Sequence, residues 1–213
     1  MKRFRMLMLP ALAIFSANTA RAQGFTPNPG LGFSAAEPIG KPFALPAGIE
    51  LRQPIKPYTS SRPQDCGNKD EKKKVYGTDG DLIALCLIFS NRSGAPTTVA
   101  LPPGLIFRSR NVKKQNGILV QRVVIEVPPV PVFYAPLLLY CANGNRPGPR
   151  SEDLYELGPI ADRPELTTLF RKLAGKDLAE NQMIQGFVWN TTATGEISEF
   201  VDMMDTLLRP YMR

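Results

Sequence analysis

The chain has 213 residues, with 26 Lys and Arg against 19 Asp and Glu, and no His. Without His there is no imidazole base, no Ser-His or Cys-His pair and no His-ligated metal site. A hydrophobic share of 43% and a charged share of 21% belong to a chain that can bury a core, which excludes wholesale disorder.

Residues 1–22 read as a signal peptide. Lys2, Arg3 and Arg5 form a positive start, Met6 to Phe15 is apolar, and Ala20-Arg21-Ala22 has the small-x-small form of a cleavage site before Gln23. The apolar run is too short to span a bilayer, so no integral span is expected after cleavage. The leader holds four basic and no acidic residues. The rest of the chain therefore has 22 basic and 19 acidic residues, a net charge of +3 rather than +7. Its one basic cluster, Lys72-Lys73-Lys74, follows Asp70-Glu71 and reads as a solvated loop, so no nucleic-acid partner is expected. The expected location is periplasmic or secreted.

Residues 23–65 carry eight prolines and read as an extended arm. The arm also holds Phe25, Phe33, Phe43, Leu45, Ile49 and Leu51. A pure spacer does not need these side chains, so they are candidates for packing on a protein partner or on the chain's own domain.

Residues 66–145 read as an antiparallel β-domain. Leu82 to Phe89 is an apolar run ended by a turn cluster. Thr97 to Leu101, Leu105 to Phe107, Ile118 to Val127 and Val132 to Cys141 follow at a beat of about ten residues, with turn signals between. Pro136 places the last of these at an edge or bulge. Cys66, Cys86 and Cys141 make one disulfide plus one thiol the simplest count in an oxidising compartment. Cys86–Cys141 is one candidate pair, and Cys66 with either is the other.

Residues 146–213 read as a C-terminal helical segment. Asp162-Arg163-Pro164-Glu165 is a helix start with Asp162 as N-cap, and Leu166, Leu169, Phe170 and Leu173 share one face. Asp177 is read as the cap of a second helix carrying Ile184, Phe187 and Val188. Residues 195–208 are read as a third.

The run Leu87 to Phe107, LIFSNRSGAPTTVALPPGLIF, resembles bacterial extracellular immunoglobulin-like modules over residues 82–141. The resemblance implies an immunoglobulin-like β-sandwich and no particular activity. Tyr140-Cys141-Ala142-Asn143 and Ile184-Gln185-Gly186-Phe187-Val188-Trp189 are similar to the two halves of a bacterial thioester domain. That resemblance implies a bond between the Cys141 thiol and the Gln185 amide, open to attack by amines. The acidic residue expected soon after the cysteine is absent here. The bland reading makes Phe187 and Val188 core and Gln185 polar surface.

Glu152-Asp153 and Asp202/Asp205 read as solvated carboxylates rather than a glycosidase pair. Calcium-loop and phosphate-loop motifs are absent. The sequence therefore points to an exported, non-enzymatic binding or structural protein without cofactor or metal. It would serve an envelope or surface structure through an apolar arm or strand edge. The thioester adhesin is the alternative.

Overall fold

The computed structural model describes residues 28–67, 74–77, 82–178 and 183–197. Phe25, residues 1–22 of the expected leader and residues 198–208 of the third expected helix lie outside the described residues. The described chain is mainly β, with two antiparallel sheets and two helices toward its C-terminal end.

The strands are β1 (Ile49–Leu51), β2 (Lys56–Pro57), β3 (Ile83–Asn91), β4 (Thr97–Leu101), β5 (Leu105–Ser109), β6 (Gly117–Ile118), β7 (Val123–Val127), β8 (Phe133–Cys141) and β9 (Tyr155–Ile160). The helices are α1 (Pro164–Leu173) and α2 (Met183–Thr194). Seven strands form one sheet in the order β1-β3-β8-β6-β5-β9, with β2 also paired to β3. β4 and β7 form a second, two-stranded sheet.

Alternation along the strands sorts the core into two clusters. Leu85, Leu87 and Phe89 of β3, Leu105 and Phe107 of β5, and Leu137 and Leu139 of β8 face Val99, Leu101, Ile125 and Val127 of the two-stranded sheet. On the other face of the large sheet, Ile106 and Tyr140 meet Leu166, Leu169, Phe170 and Leu173 of α1 and Ile184, Phe187 and Val188 of α2. The molecule thus has three layers: a two-stranded sheet, the large sheet, and a helix pair. Leu105-Ile106-Phe107 is apolar throughout because both of its faces are covered.

The arm docks on its own chain. Ile49 and Ile55 are buried in the first cluster, and Phe43, Leu45 and Leu51 pack against it. Leu31 is buried in the second cluster. β1 and β2 add to the edge of β3, while Lys41 bridges Ile160 and Ile55 bridges Tyr155. The prolines limit these pairings to two or three residues.

Three sequence readings need correction. The first is the Cys86–Cys141 pair, since the disulfide joins Cys66 to Cys86. Cys86 lies opposite Pro136 in the β3–β8 ladder, whereas Cys141 is five residues further along β8. Five residues of strand span about 16 Å, beyond any disulfide. The odd offset also puts the two side chains on opposite faces of the sheet. Cys66 approaches Cys86 instead from a short helical turn at Pro63–Asp65, with the Cα atoms 5.2 Å apart.

The second is the helical reading of everything after residue 145, because β9 belongs to the large sheet. Leu105 pairs with Ile160 and Phe107 with Leu157, so β9 has one residue more than β5 over this span. That bulge takes up the Gly158-Pro159 step. The third is the cap of α1. Its N-cap is Arg163, without a side-chain cap bond, and Asp162 pairs with Lys41 at 3.0 Å.

Pro136 sits in a central strand rather than an edge strand, but on a locally open stretch. β6 covers only Tyr140 and Cys141 of β8. At Pro136 the neighbour is Tyr76, which donates its N–H to the Pro136 carbonyl and accepts from Leu138. The donor that proline lacks points to a side where none is required.

Candidate functional site

One end of the large sheet collects an unusual number of buried polar groups. The loop between β5 and β6, the loop between β8 and β9, the start of the arm and α2 all meet there. Asn116, Asn143, Lys114, Gln115, Asp153 and Gln185 are buried, as is Tyr155 at the start of β9.

Two asparagines tie the arm to the sheet. The side-chain amides of Asn116 and Asn143 both donate to the Gly30 carbonyl, at 2.8 and 3.0 Å, and Asn143 also reaches Gly32 O at 3.2 Å. The Asn143 oxygen accepts the Asn116 N–H at 2.9 Å, and the Asn116 oxygen accepts the Ser109 N–H at 2.8 Å. Gly32 returns a backbone bond to Ala142 O at 2.9 Å. Gly30 and Gly32 hold positive φ, and a Cβ at Gly32 would meet the Thr192 carbonyl at 2.4 Å. Glycine lets the arm turn this close to α2.

A second group surrounds Lys114. Its ammonium lies 3.4 Å from Asp153 Oδ2 and donates to Gly148 O at 3.0 Å. Asp153 also accepts the Arg150 N–H at 2.7 Å. Buried charges survive only when paired and hydrogen-bonded in this way. Asp153 is therefore an internal counter-ion and not the solvated carboxylate its loop suggested. Tyr155 donates to Gln115 O at 2.9 Å. Burial pushes the Tyr155 phenol far above the usual tyrosine range, and Asp153 and Cys141 add to the shift. The Gln115 side-chain oxygen is buried without a hydrogen-bond partner.

Cys141 and Gln185, the two residues of the thioester resemblance, are brought together. The Cys141 N–H donates to Gln185 Oε1 at 2.8 Å, and Gln185 Nε2 donates to Cys141 O at 2.9 Å. The reason lies in the sheet. Ala142 donates toward β6, to Asn116 O, so the backbone of Cys141 points to the opposite edge. On that edge the β3 pairing ends at Ile83 and Leu139. The Gln185 amide takes the place of the next strand residue, with one donor and one acceptor. Gln185 is thus buried and not on the surface. Trp189, one turn on in α2, packs partly buried against Gly144.

The other sequence candidates are dispersed. Cys66 and Cys86 form the disulfide, which sits on β3. Phe43, Leu45, Ile49 and Leu51 are occupied within the chain, and Phe33 is 65% exposed. Lys114, Asn116, Asn143 and Asp153 carry the polar network at this end of the sheet, yet nothing in their loop-like sequence marks them. Among the described residues no three Cys, Asp or Glu side chains group as a metal site requires.

A cleft of about 490 Å³ opens between the arm and the start of α1, lined by Leu31, Ile39, Lys41, Ala161 and Arg163. Another, of about 270 Å³, lies over β1 and β3 between Glu50, Phe89 and Arg92. Neither includes Cys141 or Gln185 in its lining.

The two-stranded sheet offers the contrasting surface. Thr97 pairs with Val127 at its end, and the flanking residues Pro96 and Pro128 have no N–H. That pair must therefore be closed by its own amides. The ladder bonds fall on Thr97, Val99 and Leu101 against Val127, Ile125 and Val123. By alternation, the backbone groups of Thr98 and Ala100 point out of the free edge of β4, and those of Val124 and Glu126 out of the free edge of β7. Among the described residues no strand pairs with either edge. In comparisons with protein-family models, curated proteins and solved structures, nothing matches this chain.

Proposed function

We propose that this chain is an exported, non-enzymatic binding or structural protein that captures a partner protein by strand addition. It would act as an accessory or assembly subunit of an envelope or surface structure. The observation that carries this reading is the outer sheet, whose two strands each have an outward edge that no strand among the described residues pairs with. Such an edge is a template for a partner's extended segment. The arm is already committed to the chain's own core, which leaves the edge as the binding element. The leader-like residues 1–22 and the Cys66–Cys86 disulfide agree with an oxidising compartment. The lack of His agrees with a role without acid–base catalysis. The immunoglobulin-like likeness belongs to this reading too. Two antiparallel sheets facing one core support it, while their division into seven and two strands departs from it.

The test is a photo-crosslinking residue placed at Ala100 on the β4 edge, with Val112 in an exposed loop as control. The reading requires a protein adduct from position 100 in the envelope fraction, lost when Thr98→Pro removes an outward donor. No adduct at 100, or one indifferent to that proline, overturns it.

A second reading, the thioester adhesin, is supported by the contact of the Cys141 backbone with the Gln185 amide, while the Cys141 side chain itself lies in the cluster that faces the two-stranded sheet. The Cys141 thiol would attack Gln185 Cδ, forming the S–C bond and releasing the amide nitrogen as ammonia. The Cys141 N–H on Oε1 stands where it would stabilise the oxyanion of that step. The intact protein would then weigh less by one ammonia, and a primary amine would label Gln185. An intact mass lacking only the hydrogens of one disulfide removes this reading.

A further inference from the structure

We infer that β7 pairs antiparallel with β7 of a second copy of this chain, about a two-fold axis at Val124. The inference rests on the open outer edge used above and assigns each edge a different occupant: β7 to a second copy, β4 to the partner protein.

Three observations carry it. First, the outward backbone groups of β7 belong to Val124 and Glu126, and alternation extends the set back to Arg122. In a two-fold antiparallel ribbon centred on Val124, Val124 meets its own counterpart, and Arg122 meets Glu126 of the second copy, twice. All three pairs then fall in hydrogen-bonding positions, so the register uses every outward donor and acceptor. Second, the side chains agree with this register. Arg122, Val124 and Glu126 share the exposed outer face, while Val123, Ile125 and Val127 point into the core. The exposed face reads basic, apolar, basic's opposite, so reversing the strand against itself sets each Arg122 opposite a Glu126. Val124, 45% exposed, lies against its copy between those two pairs. Third, the Glu126 carboxylate is held on that face by the Thr98 hydroxyl, which donates to its Oε1.

A two-fold axis normal to the sheet keeps both core faces on one side, so the two outer sheets would merge into one of four strands, β4-β7-β7-β4. Each copy is thereby relieved of one aggregation-prone edge, and self-complementarity closes the assembly at two copies.

The experiment uses the chain without its leader. Light scattering on a sizing column should give a dimer for the native protein. Glu126→Arg should weaken association roughly tenfold or more, since two attractive pairs become repulsive. Adding Arg122→Glu to that variant should restore it. Val124→Pro, which removes an outward donor and leaves the β4 ladder intact, should give a monomer of unchanged circular dichroism. In the Val124→Cys variant the two Cα atoms would lie about 5.5 Å apart, within disulfide range, so a covalent dimer should form in air. Thr98→Cys should not form one. A native monomer, a dimer indifferent to Glu126→Arg, or a double variant that stays monomeric overturns the inference. Each of those results leaves the crosslink at position 100 to decide the partner-binding reading separately.

Discussion

At the helix-covered end of the large sheet, backbone groups that have run out of strand neighbours meet side-chain amides. Gln185 closes the edge of β8 at Cys141, and Asn116 and Asn143 close the carbonyls of Gly30 and Gly32. In the two-stranded sheet, Thr98, Ala100, Val124 and Glu126 turn the same kinds of groups outward. The chain uses buried amides where it needs a fixed end, Asn91 on Val127 O at the end of the outer sheet included, and none among the described residues along that sheet's outward edges. The difference separates the part that holds the fold from the part available for association.

The largest effect should come from breaking the closed end. Asn143→Leu removes the partner of the Asn116 N–H, the side-chain donor to Gly32 O and one of the two donors to Gly30 O, and should cost about 4 kcal/mol in urea unfolding. Replacing Cys66 and Cys86 with alanine frees the 20-residue span between them and should cost about 3 kcal/mol. Gln185→Leu, which strips both partners from the Cys141 backbone, should cost about 2 kcal/mol and speed hydrogen exchange at the Cys141 amide. At the open sheet, Val124→Ala should stay within about 0.5 kcal/mol. A loss there as large as that from Gln185→Leu would break the comparison.

The smallest effect is acid dependence. Hydrogen bonds from Arg108 and then Arg110 hold the Glu156 carboxyl below its ordinary pKa of 4.5, while Arg108 also grips Glu37 of the arm. A folded pKa below the unfolded one gives stability that is present above pH 4.5 and is lost as the pH falls through the folded value. Melting temperature followed across that range should fall less steeply in Glu156→Gln than in the native protein.

The β-rich core was legible because its strands carry apolar residues at a regular beat, and α1 because Leu166, Leu169, Phe170 and Leu173 recur at helical spacing. β9 was not legible, since Gly158-Pro159 is ordinarily punctuation and only a bulge against β5 accommodates it. The disulfide turned on register: knowing that Cys86 and Cys141 lie on strands says nothing until Cys86 is set opposite Pro136. The polar cluster was hidden for a different reason. Asn116, Asn143 and Asp153 sit in segments that read as turns, and their burial comes from the arm and α2 folding over them. Of the candidate residues, Cys141 and Gln185 were paired from a resemblance, and their 44-residue separation gives no local signal of contact.

The way the arm is held also bears on timing. Gly30 needs Asn143, Lys41 needs Ile160 and Ile55 needs Tyr155, so these parts of the earliest-made of the described segments find their bonding groups only after 100 or more further residues exist. Contacts this distant in sequence form slowly. β1 and β2 can pair with β3 well before that, but Gly30 and Lys41 cannot be held until the later segments exist, so the oldest described part of a nascent chain stays undocked for longest.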